Sequence, residues 1–134
     1  MRENSYTLIE FLTSPGIYDV TIRPNGGSPI VYKNGFVVKP PEIYSVDPFV
    51  GSVYDQVAIQ GSFFGAKRGY VYLEYEDRQK IRRQTCKIIN WEMDSKTAES
   101  EIVFIVPKGL ALGVYLLRVK NSVGDDTVEF TIVP

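Results

Sequence analysis

The chain has 134 residues, of which 44% are hydrophobic and 23% charged, and its 15 basic against 16 acidic side chains leave a net charge of −1. This is the composition of one folded domain, or a domain with a fragment, and it carries no global field that would draw it onto nucleic acid or an anionic membrane. Histidine is absent and Cys86 is the only cysteine, which excludes an internal disulfide, the usual zinc sites and nucleophiles activated by a histidine.

The first residues, Met1-Arg2-Glu3-Asn4-Ser5, lack the charged-then-apolar form of a signal peptide, and no apolar run approaches the ~18–20 residues of a membrane-spanning helix. In chain order, period-two alternation and short runs of Val, Ile, Tyr and Phe predict strands at 6–12, 17–23, 30–38, 42–46, 56–62, 69–76, 84–91, 101–106, 114–120 and 127–133. Gly, Pro, Asn and Asp mark the gaps, as in Pro24-Asn25-Gly26-Gly27, Asn34-Gly35 and Asp47-Pro48. No helical stripe is present, and residues 92–100 have room for a single turn capped by Asp94 or Ser95. Many short strands at regular spacing predict an all-β sandwich or barrel.

A pattern occurs twice. Gly16-Ile17-Tyr18, an Asn25-Gly26 turn and Phe36 return as Gly113-Val114-Tyr115, Asn121 with Gly124, and Phe130, the Gly and the Tyr both shifted by 97 residues. A repeat of domain length, with only its tail in the first copy, predicts one complete unit at 40–134 preceded by the closing part of another at 1–39. Lys39-Pro40-Pro41 is the boundary, because consecutive prolines stiffen a linker and cannot donate to a sheet. About 39 residues bury little core alone, so the first part is expected to cover its apolar face against the second unit or another chain.

Within the complete unit, alternation places Val57, Ile59, Val71, Leu73, Tyr75, Tyr115, Leu117 and Val119 inward. Tyr70, Tyr72, Glu74, Glu76, Arg118 and Lys120 then face out, Trp91 is the expected core anchor, and Cys86 is a small core residue.

Residues 40–134 resemble the IPT/TIG domain, an immunoglobulin-like module of E-set type found in plexins, some transcription factors and bacterial surface proteins. The matching elements, in order, are Pro41 through Pro48 with Gly51, Val57-Ala58-Ile59-Gln60-Gly61 with Phe64-Gly65, and then Trp91. Val106-Pro107, Gly113-Val114-Tyr115, Asn121, Gly124 and Phe130 complete the set. Tyr54-Asp55 departs from it, standing where a second turn glycine is usual. The resemblance implies an immunoglobulin-like β-sandwich and a non-enzymatic spacer, adhesion or protein-binding module of a tandem-repeat protein. It implies an extracellular or cell-surface setting, or a virion, with neighbouring repeats or other proteins as partners and with no cofactor. Tyr115, just after Gly113, stands where such sandwiches form a tyrosine corner.

The candidate partner surface consists of Tyr70 and Tyr72 together with the basic stretch Arg78, Lys80, Arg82 and Arg83. Outward tyrosines, with Tyr44 and Tyr54 near them, suit a polysaccharide platform, the alternative reading being a carbohydrate-binding module. The arginines suit phosphate contact, as in the nucleic-acid-binding transcription-factor members of the family, or a solvated hairpin whose charges discourage edge pairing. Asp47, Asp55, Asp125 and Asp126 are assigned to turns rather than to calcium, because no spaced acidic loop brings six oxygens to one point.

Overall fold

The computed structural model describes the backbone of residues 16–22 and 30–134, with side chains from residue 38 onward. The strand expected at 6–12, the turn at 24–27 and the packing expected of residues 1–39 lie outside the described residues. The chain divides into two compact units, 1–39 and 40–134.

In the first unit β1 (Gly16–Ile22) pairs antiparallel with β2 (Ile30–Val38). Its register sets Gly16 opposite Val38 and Tyr18 opposite Phe36. The last two strands of the second unit pair Gly113 with Ile132 and Tyr115 with Phe130. The duplicated pattern is therefore a hairpin with the same Gly and Tyr–Phe pairings in both places. The first hairpin shifts register between Tyr18 and Val20, which the second does not.

The second unit contains β3 (Glu42–Asp47), β4 (Val50–Gly51), β5 (Gln56–Ser62), β6 (Tyr70–Asp77), β7 (Lys80–Thr85), β8 (Lys87–Met93), β9 (Glu99–Ile105), β10 (Gly113–Lys120) and β11 (Asp125–Ile132). One sheet has the order β3-β5-β9-β8 and the other β4-β11-β10-β6-β7. Two such sheets with these connections make an immunoglobulin-like β-sandwich.

Alternation along the strands builds the core between the sheets. Val57, Ile59, Val71, Leu73, Ile102, Leu117 and Val119 are fully buried, around the ring pair Phe104–Phe130 and around Phe64. The glycine at 61 is required by close approach: a Cβ there would lie 2.0 Å from the Glu42 carbonyl and 2.7 Å from the Phe64 ring. Trp91 is not the central anchor. It is half-buried at the margin of the core, tilted against Phe64 at 6.2 Å, with its indole N–H donating to the Gly65 carbonyl at 2.8 Å.

Two element expectations need correction. The strand read at 84–91 is two strands in different sheets: the chain leaves β7, crosses at buried Cys86, and begins β8 in the opposite layer. Alternation continues through the crossing, so it carries no mark of the change of sheet. The residues before it form a hairpin with β6 although Arg78-Gln79 is no turn signature. Both have positive φ, 51° and 66°, in the left-handed region that ordinarily falls to Asn or Gly. β4 is absent from the expected strands, because a two-residue strand has no period.

The chain enters and leaves this unit at opposite poles. Pro40 lies against the β10–β11 turn, where a Cβ on Gly124 would come within 2.9 Å of its ring. At the other end of β11, the Val133 N–H donates to the Gly51 carbonyl at 2.9 Å and Ser52 Oγ donates to the Pro134 carbonyl at 2.9 Å. Ten residues of extended chain separate Gly124 from Pro134, a distance of about 33 Å.

Candidate interaction surface

The predicted surface lies on the outer face of the five-stranded sheet and on the β6–β7 hairpin at its edge. Register puts Lys120 opposite Tyr70, Arg118 opposite Tyr72, and Leu116 opposite Glu74. Across the other flank of β6, Thr85 stands opposite Tyr72, Arg83 opposite Glu74 and Ile81 opposite Glu76. Directly opposed residues share a face, so Tyr70, Tyr72 and Arg83 converge.

They form a stack. The rings of Tyr70 and Tyr72 are parallel within 7° at 5.7 Å, and the Arg83 guanidinium carbon lies 4.3 Å from the Tyr72 ring centroid. Tyr72 is thereby closed, at 7% exposure, against the expectation of two open rings. A cation over one face and a ring beside it remove most of its access to a ligand. Tyr70 remains 55% exposed. Tyr44 and Tyr54 do not join them. Tyr44 belongs to the other sheet, its hydroxyl paired with Ser62 Oγ at 2.7 Å, and Tyr54 lies in the loop beyond β4. Tyr54 has φ 73°, taking the left-handed conformation where the glycine is usual.

The basic residues divide between two roles. Arg82 Nε donates to Asp77 at 3.0 Å on an exposed part of the hairpin, and Arg83 is committed to the stack. Arg78 occupies the turn and Lys80 follows it, and among the described residues neither has an ion-pair partner. Glu74 stands opposite Arg83, but its carboxylate goes elsewhere, taking two bonds from Arg118 at 2.8 and 3.0 Å. Arg118 also donates to Asp125 at 2.8 Å. Those bonds, first to Glu74 and then to Asp125, raise the guanidinium pKa above its ordinary value. Arg118 is thus a fixed strut across β6, β10 and β11.

Three other aspartates act as turn and edge ties. Asp55 accepts from the Ser52 N–H at 2.9 Å, Asp126 from the Ile43 N–H at 2.8 Å, and Asp94 from the Lys96 and Thr97 N–H groups at 2.7 and 3.2 Å. Among the described residues no group of three or more His, Cys, Asp or Glu side chains is placed to hold a metal ion. Tyr115 makes the expected corner, its hydroxyl donating to the Ala111 carbonyl at 2.5 Å, and burial raises its pKa. Cys86 is buried and desolvation pushes its thiol up to about 12, which makes it unreactive near neutrality.

Two surfaces were missed from sequence. A shallow acidic groove crosses the outer face of the four-stranded sheet, lined by Tyr44, Met93, Glu92, Glu99 and Glu101. Glu101 stands opposite Glu92 and takes a hydrogen bond from Gln60. The alternation of Glu99 and Glu101 along β9 was visible, but its alignment with β8 needed the register. At the pole where the chain leaves, Phe49, Tyr54 and Leu112 are exposed at 70, 66 and 59%, with Val114 at 62% on the adjoining sheet face. They come from separate loops and so share no period. Among the described residues, no helix is long and apolar enough to cross a membrane.

No family model matches this chain, and no curated protein matches it. Among solved structures, the chain is similar to the gamma-CGTase of the alkalophilic Bacillus clarkii, with a TM-score of 0.55 and 24% identity over 85% of this chain. A putative phosphatase of Bacteroides thetaiotaomicron aligns over 72% of this chain at 23% identity, with a TM-score of 0.39. The chain spans 17% of the length of each. What the first of these likenesses establishes is the fold, an all-β immunoglobulin-like sandwich.

Proposed function

We propose that this chain is a non-enzymatic structural and protein-binding module of the IPT/TIG type, acting as a spacer in a longer repeat-containing protein. The observation that carries this reading is the placement of Pro40 and Pro134 at opposite poles of the sandwich. A unit whose chain runs in at one pole and out at the other lengthens an array by its own long axis, whereas one with adjacent termini hangs off it as a side branch. Two further observations support it. The β1–β2 hairpin repeats the Gly and Tyr–Phe pairings of β10–β11, and a fold of this shape occurs as a small part of a larger chain.

Small-angle X-ray scattering on one copy of the chain, and on two copies joined in line, tests the reading. The maximum dimension is expected to grow by at least about 30 Å for the added copy, the length of extended strand between the poles. Growth below about 10 Å means the copies fold back on each other, and the spacer reading fails.

A second reading, polysaccharide binding, rests on the open ring face of Tyr70 at the end of the Tyr70–Tyr72–Arg83 stack. It requires that Tyr70→Ala abolish retention in affinity electrophoresis through a polysaccharide gel. Unchanged retention removes it.

A further inference from the structure

β7 is an edge strand, next to β6 on one side only. Which of its backbone groups face outward follows from a single bond. The Cys86 N–H donates to the Val71 carbonyl at 2.8 Å, so the pair 71/86 is a hydrogen-bonded one. In an antiparallel ladder such pairs alternate. With the register of β6 and β7, the bonded pairs are then Leu73 with Gln84, Tyr75 with Arg82, and Asp77 with Lys80. The last closes the two-residue turn. Ile81 and Arg83 therefore direct both their N–H and C=O groups away from β6. All six residues of β7 are exposed, Ile81 at 72%.

The other edges of the sandwich are blunted, as natural sheets require. β4 has two residues. On β3 the Ile43 N–H is occupied by the Asp126 carboxylate, and the ladder slips between Ile43 and Ser45. The pairing of β8 slips between Ile88 and Asn90. β7 has no slip in its register. What guards it is charge: Lys80, Arg82 and Arg83 lie on the strand, with Arg78 before it and Lys87 after it. Of the nearby carboxylates, Asp77 is bonded to Arg82, Glu74 to Arg118, and Glu76 stands exposed opposite Ile81, which leaves the five basic side chains of the stretch in excess over three acidic ones. A second β7 brought alongside would oppose lysine and arginine to themselves, which disfavours pairing between copies. The same charges favour an acidic strand.

We propose that β7 is a docking edge for an extended acidic segment of a partner protein, which adds to the five-stranded sheet as a sixth strand through the backbone of Ile81 and Arg83. Strand addition takes its affinity from main-chain bonds and its selectivity from alternate side chains. Ile81 and Arg83 share one face of the strand and Lys80 and Arg82 the other, so an alternating incoming strand sets its aliphatic residues beside Ile81 and its carboxylates beside Lys80 and Arg82. The proposal stands apart from the spacer reading, since an extended array keeps its length with or without an occupied edge.

The experiment is fluorescence anisotropy on the full chain with a labelled heptapeptide of alternating glutamate and valine, and its lysine–valine counterpart as control. The glutamate peptide is expected to bind at least about tenfold more tightly than the lysine peptide, with affinity falling as salt is raised. Ile81→Pro deletes an outward N–H and no bond of the β6–β7 ladder, and a proline is tolerated on an edge strand with its nitrogen toward solvent. It should weaken the glutamate peptide by about tenfold or more, while Ile81→Ala changes it by less than about threefold. Equal binding of the two peptides, no binding at about 1 mM, or an Ile81→Pro variant that binds as the parent overturns the proposal. Where Ile81→Pro does not fold, Arg83→Glu decides: a shift of preference toward the lysine peptide supports the docking edge, and an unchanged preference refutes it.

Discussion

Asn121 makes four hydrogen bonds with one amide. Its nitrogen donates to the Phe63 and Phe64 carbonyls at 3.2 and 2.8 Å, and its oxygen accepts from the Val123 and Gly124 N–H groups at 2.8 and 3.1 Å. That is the full capacity of the side chain, which makes it the tie between the loop after β5 and the turn that meets Pro40. Cys86 works at the same scale by a different route. Its folded pKa, about 12, stands above the ordinary 9.0 because burial penalises the thiolate. The unfolded chain releases this proton at lower pH than the folded one. The contribution to stability is therefore complete below pH 9 and is lost as pH rises from there toward 12. Denaturant melts at pH 8 and pH 11 should differ by roughly 2–3 kcal/mol more in the parent than in Cys86→Ala. Equal slopes for the two proteins would contradict the burial of the thiol.

At the scale of elements, the β6–β7 hairpin carries a local conflict. Arg78 and Gln79 hold left-handed backbone that L-residues with long side chains adopt at a cost of ~1–2 kcal/mol each. The pairing of Asp77 through Tyr72 with Lys80 through Thr85 overrides that cost. Replacing the pair by Asn-Gly (Arg78→Asn with Gln79→Gly) should raise stability by about 1–2 kcal/mol in urea melts. A destabilised double variant would mean that the arginine or the glutamine contributes more than its backbone. This conflict also explains what was legible beforehand. The strands with clean alternation and turn residues at their ends, such as Gln56–Ser62 and Gly113–Lys120, are visible in the sequence nearly to the residue. The hairpin and the change of sheet at Cys86 are not, because pairing at a distance, not local preference, decides them.

For the candidate surface the same division holds. That Tyr70, Tyr72 and Arg118 share an outward face follows from period two. That Arg83 covers Tyr72, or that Glu74 turns to Arg118 and away from the basic stretch, depends on which strand lies alongside β6.

At the scale of the whole molecule, the second unit is held by two kinds of seam. The antiparallel hairpins close locally, while β11 joins β4 in parallel at the pole where the chain leaves. That parallel seam consists of Thr131 and Ile132 against Val50 and Gly51, with the Thr131 N–H donating to the Phe49 carbonyl at 3.2 Å and the Val133 N–H to the Gly51 carbonyl at 2.9 Å. The seam is short, yet it joins the last strand of the unit to one near its start, so it ties distant parts of the sequence together at one pole of the sandwich.

Tension applied at Pro40 and Pro134 would run along this seam. Because the strands are parallel and the points of pull lie at opposite poles, the bonds between β4 and β11 are loaded along the strands, all at once. A hairpin pulled from its two ends opens instead one bond at a time. A module wired in this way resists stretching out of proportion to the number of bonds in the seam.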